Sequence, residues 1–173
     1  ADGNALHLVC RDATHQFLPD DVFNVHVNAL RLRRRVETYQ RLHASGDERG
    51  WSSEALDHSP VDEPAAAAAV THDKPFDDAQ WSVEHATVAG RRLADRHMES
   101  LTTFEPLPVS GRALRAVRES DKGDWHLRDG VLIRSVDPDR PGIGYVRVRF
   151  EYVRPMRVTV IAVGRVKSGP ERD

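Results

Sequence analysis

Arginines alternate with apolar residues in two stretches of this sequence. In "LRLRRRVE" the alternate positions are Arg31, Arg33 and Arg35, and in "YVRVRFEYV" they are Arg147 and Arg149. Successive side chains of a strand point to opposite faces, so each stretch predicts one arginine-bearing face and one apolar face. Such a face suits three roles: a nucleic-acid platform, a membrane-facing surface, or the solvated side of an ordinary sheet.

The distribution of aromatic residues and the overall charge argue against nucleic-acid binding. Sheets that bind single strands place aromatic rings among the basic residues of one face, so that bases can stack on them. In the second stretch, Phe150 and Tyr152 fall on the apolar set instead. The chain also carries a formal net charge of -2, whereas nucleic-acid-binding domains are usually strongly basic. We therefore predict no nucleic-acid partner and favour a half-solvated sheet with Arg–Glu ladders.

Residue types that could support catalysis or hold a metal do not form a recognisable motif. The nine histidines include no HExxH spacing, and the single cysteine, Cys10, leaves no Cys pair for zinc. Asp95 and His97 lie two positions apart, which would place them on different faces of a helix. The sequence contains no GxSxG, P-loop or GxGxxG motif. We predict no cofactor, no metal and no enzymatic activity, with a histidine-based hydrolase as the weakest hypothesis.

Length and composition indicate a single globular domain. The 173 residues are 39% hydrophobic and 30% charged, which suits a folded chain with a core of its own. One cysteine excludes an intramolecular disulfide. No apolar run approaches the roughly 18–20 residues of a membrane span. Because the chain begins at Ala1 without a methionine, we expect it to be part of a longer protein.

The first half of the chain reads as strands followed by a long loop. "NALHLVC" alternates as a strand does, and "NVHVNALRLRRRVETYQRL" continues the alternation with a phase shift near Asn28-Ala29 that is typical of a bulge. "WSSEAL" follows a turn-like segment and predicts a returning strand, which would complete a hairpin. Residues 57–78, with Pro60, Pro64 and Pro75, predict a long loop.

The second half predicts helices between strand pairs. "GRRLADRHMESL" and "GRALRAVRES" have helical spacing, and Asp129-Gly130 marks a tight hairpin turn. The stretch from Tyr145 to Val166 predicts a final hairpin that turns at Pro155. The expected fold class is α+β, a β-rich and mostly antiparallel sheet with two short helices, and a small OB-like barrel is the alternative.

The chain also resembles a known family. The segment "LRLRRRVETYQRLHASGDERGWSSEAL" is similar to a family strand of the form LRRxVExYQW, followed by an acidic turn and W-x-S-E. "VRVRFEY" and "VTVIA" are similar to the family's ending, DxRVxFxY…VTVIAxQ. These stretches resemble the large extramembrane domain of the LUMA family, which comprises transmembrane protein 43 and its bacterial relatives. In the family's GHxNP loop, however, this chain has "THDKP", and Tyr145 replaces an aspartate.

The resemblance implies a membrane context. Family members have one span before this domain and several after it, so residues 167–173 would be a tail or linker toward spans absent from this chain. In a bacterial member the domain would face the periplasm. The family is described as scaffolding, without accepted catalytic activity, which implies self-association or binding of other membrane or envelope proteins.

The resemblance and the arginine pattern together give one leading function and one alternative. The leading prediction is a non-enzymatic interaction domain, and the alternative is a β-rich domain that binds a small molecule, a lipid headgroup or a glycan. The candidate interaction surface comprises Arg31, Arg33, Arg35, His72, Lys74, Arg147 and Arg149.

Overall fold

A computed structural model describes residues 4–9, 17–42, 47–54, 74–88, 91–92, 95–155 and 159–164. These residues form a β-rich, antiparallel structure with one ten-residue helix and one shorter helical segment. The elements in chain order are β1 (Asn4–Val9), β2 (Phe17–Asp20), β3 (Val25–Asn28), β4 (Arg31–Arg41), β5 (Arg49–Ser52), β6 (Ala79–Ser82), β7 (Thr87–Val88), β8 (Arg91–Arg92), α1 (Asp95–Glu99), β9 (Glu105–Leu107), α2 (Gly111–Ser120), β10 (Trp125–Arg128), β11 (Val131–Arg134), β12 (Val146–Val153) and β13 (Thr159–Gly164).

The largest sheet is built around the two longest strands, β4 and β12. Its strand order is β10-β11-β12-β4-β5, with β6 also paired to β4 and β9 also paired to β12. The two central strands are antiparallel over eight residue pairs, from Val146 opposite Thr38 to Val153 opposite Arg31. In this register Arg149 lies directly opposite Arg35, at the middle of the sheet.

Each central strand changes its outer partner halfway along its length. β4 pairs with β6 through residues 31–34 and with β5 through residues 38–41. β12 likewise pairs with β11 through residues 146–148 and with β9 through residues 150–152. In the gap on β4, the backbone N–H of Val36 donates to Asp78 Oδ1 at 2.6 Å. A side chain thus satisfies a donor that no neighbouring strand reaches.

The apolar face of the central strands forms the core. Leu32 and Val36 of β4 are fully buried, as are Val148 and, nearly so, Phe150 of β12. Removing such side chains from water is the main stabilising term of the fold. Helix α2 begins after the N-cap Ser110, whose hydroxyl accepts from the N–H of Arg112, and its buried residues are Ala113 and Val117.

The β2–β3 hairpin is attached to the sheet by a buried ion pair. Arg34 lies on the core side of β4, and its Nη1 is 2.7 Å from Asp20 Oδ2. The Asp20 side chain is only 1% exposed and also accepts from the backbone N–H of Phe23. Burial raises the pKa of Asp20, and the Arg34 charge opposes that rise. Arg34 also donates to the carbonyl of Asp77, so it joins three segments of chain.

Several sequence predictions are confirmed. The helix Gly111–Ser120 is present, and β5 returns along β4 as the hairpin prediction required. Asp129 and Gly130 have φ values of 48° and 75°, as a tight turn between β10 and β11 needs. The bulge predicted near Asn28-Ala29 is wrong: the phase shift is a strand boundary, because β3 ends at Asn28 and belongs to a different sheet from β4.

The predicted final hairpin is wrong. β13 pairs with β1, in a separate two-stranded sheet, and does not pair with β12. Both edges of β12 are already taken, one by β4 and the other by β11 and β9, so the chain after Pro155 has no edge of β12 to join.

The helix prediction for residues 90–101 is only partly met, and the OB-like alternative is not confirmed. Arg91–Arg92 pairs with Thr87–Val88 as a short strand, which leaves the five-residue segment Asp95–Glu99 as helix. Within the described strands the largest sheet stays open, because its terminal strands β10 and β5 do not pair. The predicted loop is described only for residues 74–78, and the predicted tail of residues 167–173 lies outside the described part of the chain.

Candidate functional site: the arginine face of the central strands

Directly opposite residues of an antiparallel pair project to the same side of the sheet. The register of β4 and β12 therefore combines the two arginine patterns on one surface. We call this surface the arginine face; it comprises Arg33, Arg35 and Glu37 of β4 with Arg147, Arg149 and Glu151 of β12. The sequence prediction that these arginines share a face is consistent with this register.

Two carboxylates neutralise part of the arginine face. Arg33 Nε pairs with Glu151, which lies directly opposite. Glu37 accepts from Arg147 Nε at 2.7 Å and from Arg149 twice, at 2.7 Å from Nε and 3.0 Å from Nη2. The two arginines thus share a single carboxylate, and Arg149 holds it through a two-point contact.

Glu37 is the electrostatic centre of the face. Its side chain is only 7% exposed. Burial alone would raise the pKa of Glu37, but hydrogen bonds from Arg147 and Arg149, together with their charges, outweigh that effect and hold the pKa below its usual 4.5. Glu37 is therefore ionised at neutral pH and bound to its two partners.

Aromatic rings pack among these guanidinium groups, an arrangement that alternation within the two strands does not predict. Arg33 lies 3.9 Å from the ring centre of Phe104, and Arg147 lies 4.7 Å from that of Trp51. Trp51 also contacts Tyr39 edge to face, at 5.3 Å between ring centres. Tyr39 continues the alternation of the arginines and was detectable in sequence, whereas Phe104 arrives from a distant segment. Guanidinium groups and a neighbouring ring already contact these aromatics, which leaves less ring surface for stacked bases.

Arg31 occupies the same strand face but is used inside the protein. It is 8% exposed, and its Nη1 donates to the backbone carbonyls of Met98, Glu99 and Leu101 at 3.3, 3.0 and 2.8 Å. A cation at the C-terminal end of a helical segment satisfies carbonyls that lack helical partners. Arg31 therefore attaches α1 to the sheet and is not accessible to a partner.

Arg35 and Lys74 both bind Ser53, just beyond β5. Arg35 Nη2 donates to Ser53 Oγ at 3.1 Å, and Lys74 Nζ donates to the Ser53 carbonyl. Two of the predicted surface residues are thereby brought to one place, next to the arginine face. His72, the remaining predicted residue, lies outside the described residues.

A small pocket lies where β9 and β11 meet β12. It holds about 60 Å³ and is lined by residues of β9, the β10–β11 turn and Arg149 to Glu151. Small-molecule sites are usually about 300–1,000 Å³, so this pocket does not favour the ligand-binding alternative. No group of three or more potential metal ligands assembles among the described residues.

A family model described as Transmembrane protein 43 matches residues 43–169, nearly three quarters of the chain. This chain belongs to the transmembrane protein 43 family. The match includes Arg147, Arg149 and Glu151, the three arginine-face residues of β12, and the neighbouring Trp51. Neither a curated protein nor a solved structure matches the chain.

Membership in the transmembrane protein 43 family is consistent with membrane association of this protein. Within the described ranges, no helix has both the length and the hydropathy needed to cross a bilayer. The described residues of this family member thus form an antiparallel β-structure in which Arg33, Arg35, Arg147 and Arg149 lie on one face of the two longest strands.

Proposed function

We propose that this chain is a non-enzymatic interaction domain of a multi-span membrane protein. It self-associates or binds other membrane or envelope proteins through the arginine face. In a bacterial source the domain lies on the periplasmic side of the membrane. Family membership supports the membrane context, and the arginine face supports the interaction role.

The observation that carries the proposal is the pairing of Arg35 with Arg149 at the centre of the largest sheet. The Arg149 side chain is recessed but 35% exposed, so a side chain of a partner can reach it. Arginine, tryptophan and tyrosine are the residue types enriched among those that dominate binding energy at protein interfaces. Tyr39 and Trp51 lie on the same face and are only partly buried.

Photo-crosslinking tests this proposal on the intact membrane protein. We would place a photoreactive amino acid at Ser53, beside Arg35, and at Glu119, an exposed position on helix α2. We expect illumination of membranes to give defined adducts from position 53, with another copy or another envelope protein, and none from position 119.

Light scattering of the isolated chain over a wide concentration range provides the second measurement. A strict monomer at the highest concentration, combined with no position-53 adduct in membranes, would contradict the proposal. Adducts of equal yield from both positions would contradict the choice of surface, because helix α2 does not form part of the arginine face.

The periplasmic placement has its own test. A reporter enzyme that requires an oxidising compartment, fused to the chain within the full-length protein, is expected to be active. An inactive reporter, with an active cytoplasmic reporter at the same position, would contradict this placement.

A further inference from the structure

The Arg–Glu ladder of the arginine face lacks one carboxylate. Arg33 lies opposite Glu151 and Arg147 lies opposite Glu37, so two of the three successive pairs on this face join opposite charges. The middle pair joins Arg149 to Arg35. Directly opposed side chains have Cβ atoms about 4.5–5.5 Å apart, and like charges in that position destabilise a sheet.

The described residues do not compensate this pair. Glu37 already neutralises Arg147 and Arg149 with one charge between them. Arg35 donates to the neutral hydroxyl of Ser53, and no carboxylate of the described residues forms an ion pair with it. Lys74 adds a further positive charge at Ser53. The centre of the face therefore holds more guanidinium charge than the surrounding carboxylates neutralise.

The existing contacts indicate which anion fits. Both anions already on this face are glutamate carboxylates, each held by a guanidinium of the opposite strand. A third carboxylate near Arg35 and Arg149 would extend the same pattern along the strands. Guanidinium forks match carboxylate geometry, and a partly desolvated pair is stronger than one in water.

The shape of the face favours a protein segment over a membrane surface. The arginine side chains are recessed: Arg147 is 25% and Arg149 is 35% exposed. The headgroups of a planar bilayer contact basic side chains that protrude from a protein surface. A single extended segment of a partner can instead place one side chain between recessed arginines.

We infer that the Arg35–Arg149 pair is a carboxylate-binding site that receives a glutamate or aspartate from an acidic segment of the partner protein. This inference rests on the proposed function and adds the chemistry of the partner and the point of recognition. It also assigns a role to an arrangement that is otherwise unfavourable for folding.

The test compares Arg35→Gln with Arg112→Gln, an exposed arginine on helix α2. The probe is a fluorescein-labelled peptide of alternating glutamate and serine, and its control has glutamine in place of glutamate. Binding is followed by fluorescence anisotropy at low salt. We expect the affinity for the acidic peptide to fall about tenfold or more in Arg35→Gln and to stay unchanged in Arg112→Gln, with no binding of the glutamine peptide.

Thermal unfolding of Arg35→Gln separates this role from a structural one. Because the substitution removes a like-charge opposition, its Tm is expected to equal or exceed that of the native chain. Equal affinity of the native chain and Arg35→Gln for the acidic peptide would overturn the inference, as would binding of both peptides alike. Binding of phosphatidylserine vesicles or of inorganic phosphate, with no binding of the acidic peptide, would overturn it in favour of a phosphate ligand.

The two proposals fail in different ways. If position 53 yields adducts in membranes and the yield is the same in the Arg35→Gln background, the interaction role stands and the carboxylate site does not. If the native chain yields no adducts and remains monomeric, the interaction role itself is rejected.

Discussion

Glu37 shows how much depends on single residues of the arginine face. Its carboxylate accepts three hydrogen bonds from two arginines while almost fully removed from water. Removing its charge leaves Arg147 and Arg149 close together, with Arg35 beside them and no anion between them. The residue is thus a structural requirement of the surface proposed to bind a partner.

We predict that Glu37→Gln lowers the free energy of unfolding at pH 7 by about 1.5–3 kcal/mol, which is the usual contribution of hydrogen bonds to a charged group. Because the folded pKa of Glu37 lies below 4.5, its stabilisation is complete above the unfolded pKa and is lost as pH falls through the folded value. The difference from the native chain should therefore shrink in acid.

Urea unfolding at neutral and acidic pH measures this difference, and Glu119→Gln on the exposed face of α2 is the matched control. A difference that stays constant over the whole pH range would show that the charge of Glu37 is not the stabilising feature.

At the scale of elements, the β2–β3 hairpin joins the sheet through apolar packing and through one buried ion pair. We predict that Asp20→Ala lowers the free energy of unfolding by about 3–5 kcal/mol, because it leaves Arg34 as an uncompensated buried charge. Asp21→Ala is the control: that side chain is 88% exposed, and the expected change is within about 0.5 kcal/mol. Similar losses for both variants in chemical unfolding would contradict this account.

The β10–β11 turn requires glycine at its second position. Gly130 has a φ of 75°, and a Cβ atom there would lie 2.4 Å from Pro108 Cβ and 2.6 Å from its Cα. We predict that Gly130→Ala lowers stability by about 1–3 kcal/mol through backbone strain and this clash.

Gly111→Ala serves as the control for that substitution. A Cβ atom at Gly111 meets nothing within 4 Å, and alanine favours the first turn of helix α2. An unchanged or higher Tm is expected for Gly111→Ala and a lower Tm for Gly130→Ala. A Gly130→Ala variant as stable as the native chain would contradict the strain argument.

At the scale of the whole molecule, local stability should follow the sheet order. β4 and β12 have partners on both sides, whereas β10 and β5 end the sheet. We predict that the slowest amide hydrogen exchange occurs in β4 and β12, and that β10 exchanges faster. Mass-spectrometric exchange measures this order. Slowest exchange in β10 would mean that strand position does not determine protection in this fold.

The sequence predicted what is local and missed what depends on distant segments. The sides taken by Arg33 and Arg149 follow from alternation within one strand, and the turn at Gly130 follows from two adjacent residues. The pairing of β13 with β1 depends on which edges β12 has left free, and no local pattern records that. The Arg34–Asp20 pair likewise joins segments of two sheets, so alternation gave no sign of it.

Because β4 pairs with β6 along one half and with β5 along the other, the connection between β5 and β6 can vary in length. Ser52 pairs with Thr38 and Ala79 pairs with Arg34, so the chain leaves and rejoins one strand at points four residues apart, about 13 Å. Residues inserted or deleted between these points need not shift any pairing, and doubling the connection costs only about 0.6 kcal/mol of closure entropy. Lineages can therefore lengthen or shorten this connection while the sheet keeps its register, as long as Ser53, Asp77 and Asp78 keep their contacts with β4, and a protein engineer can splice a folded reporter into it under the same condition.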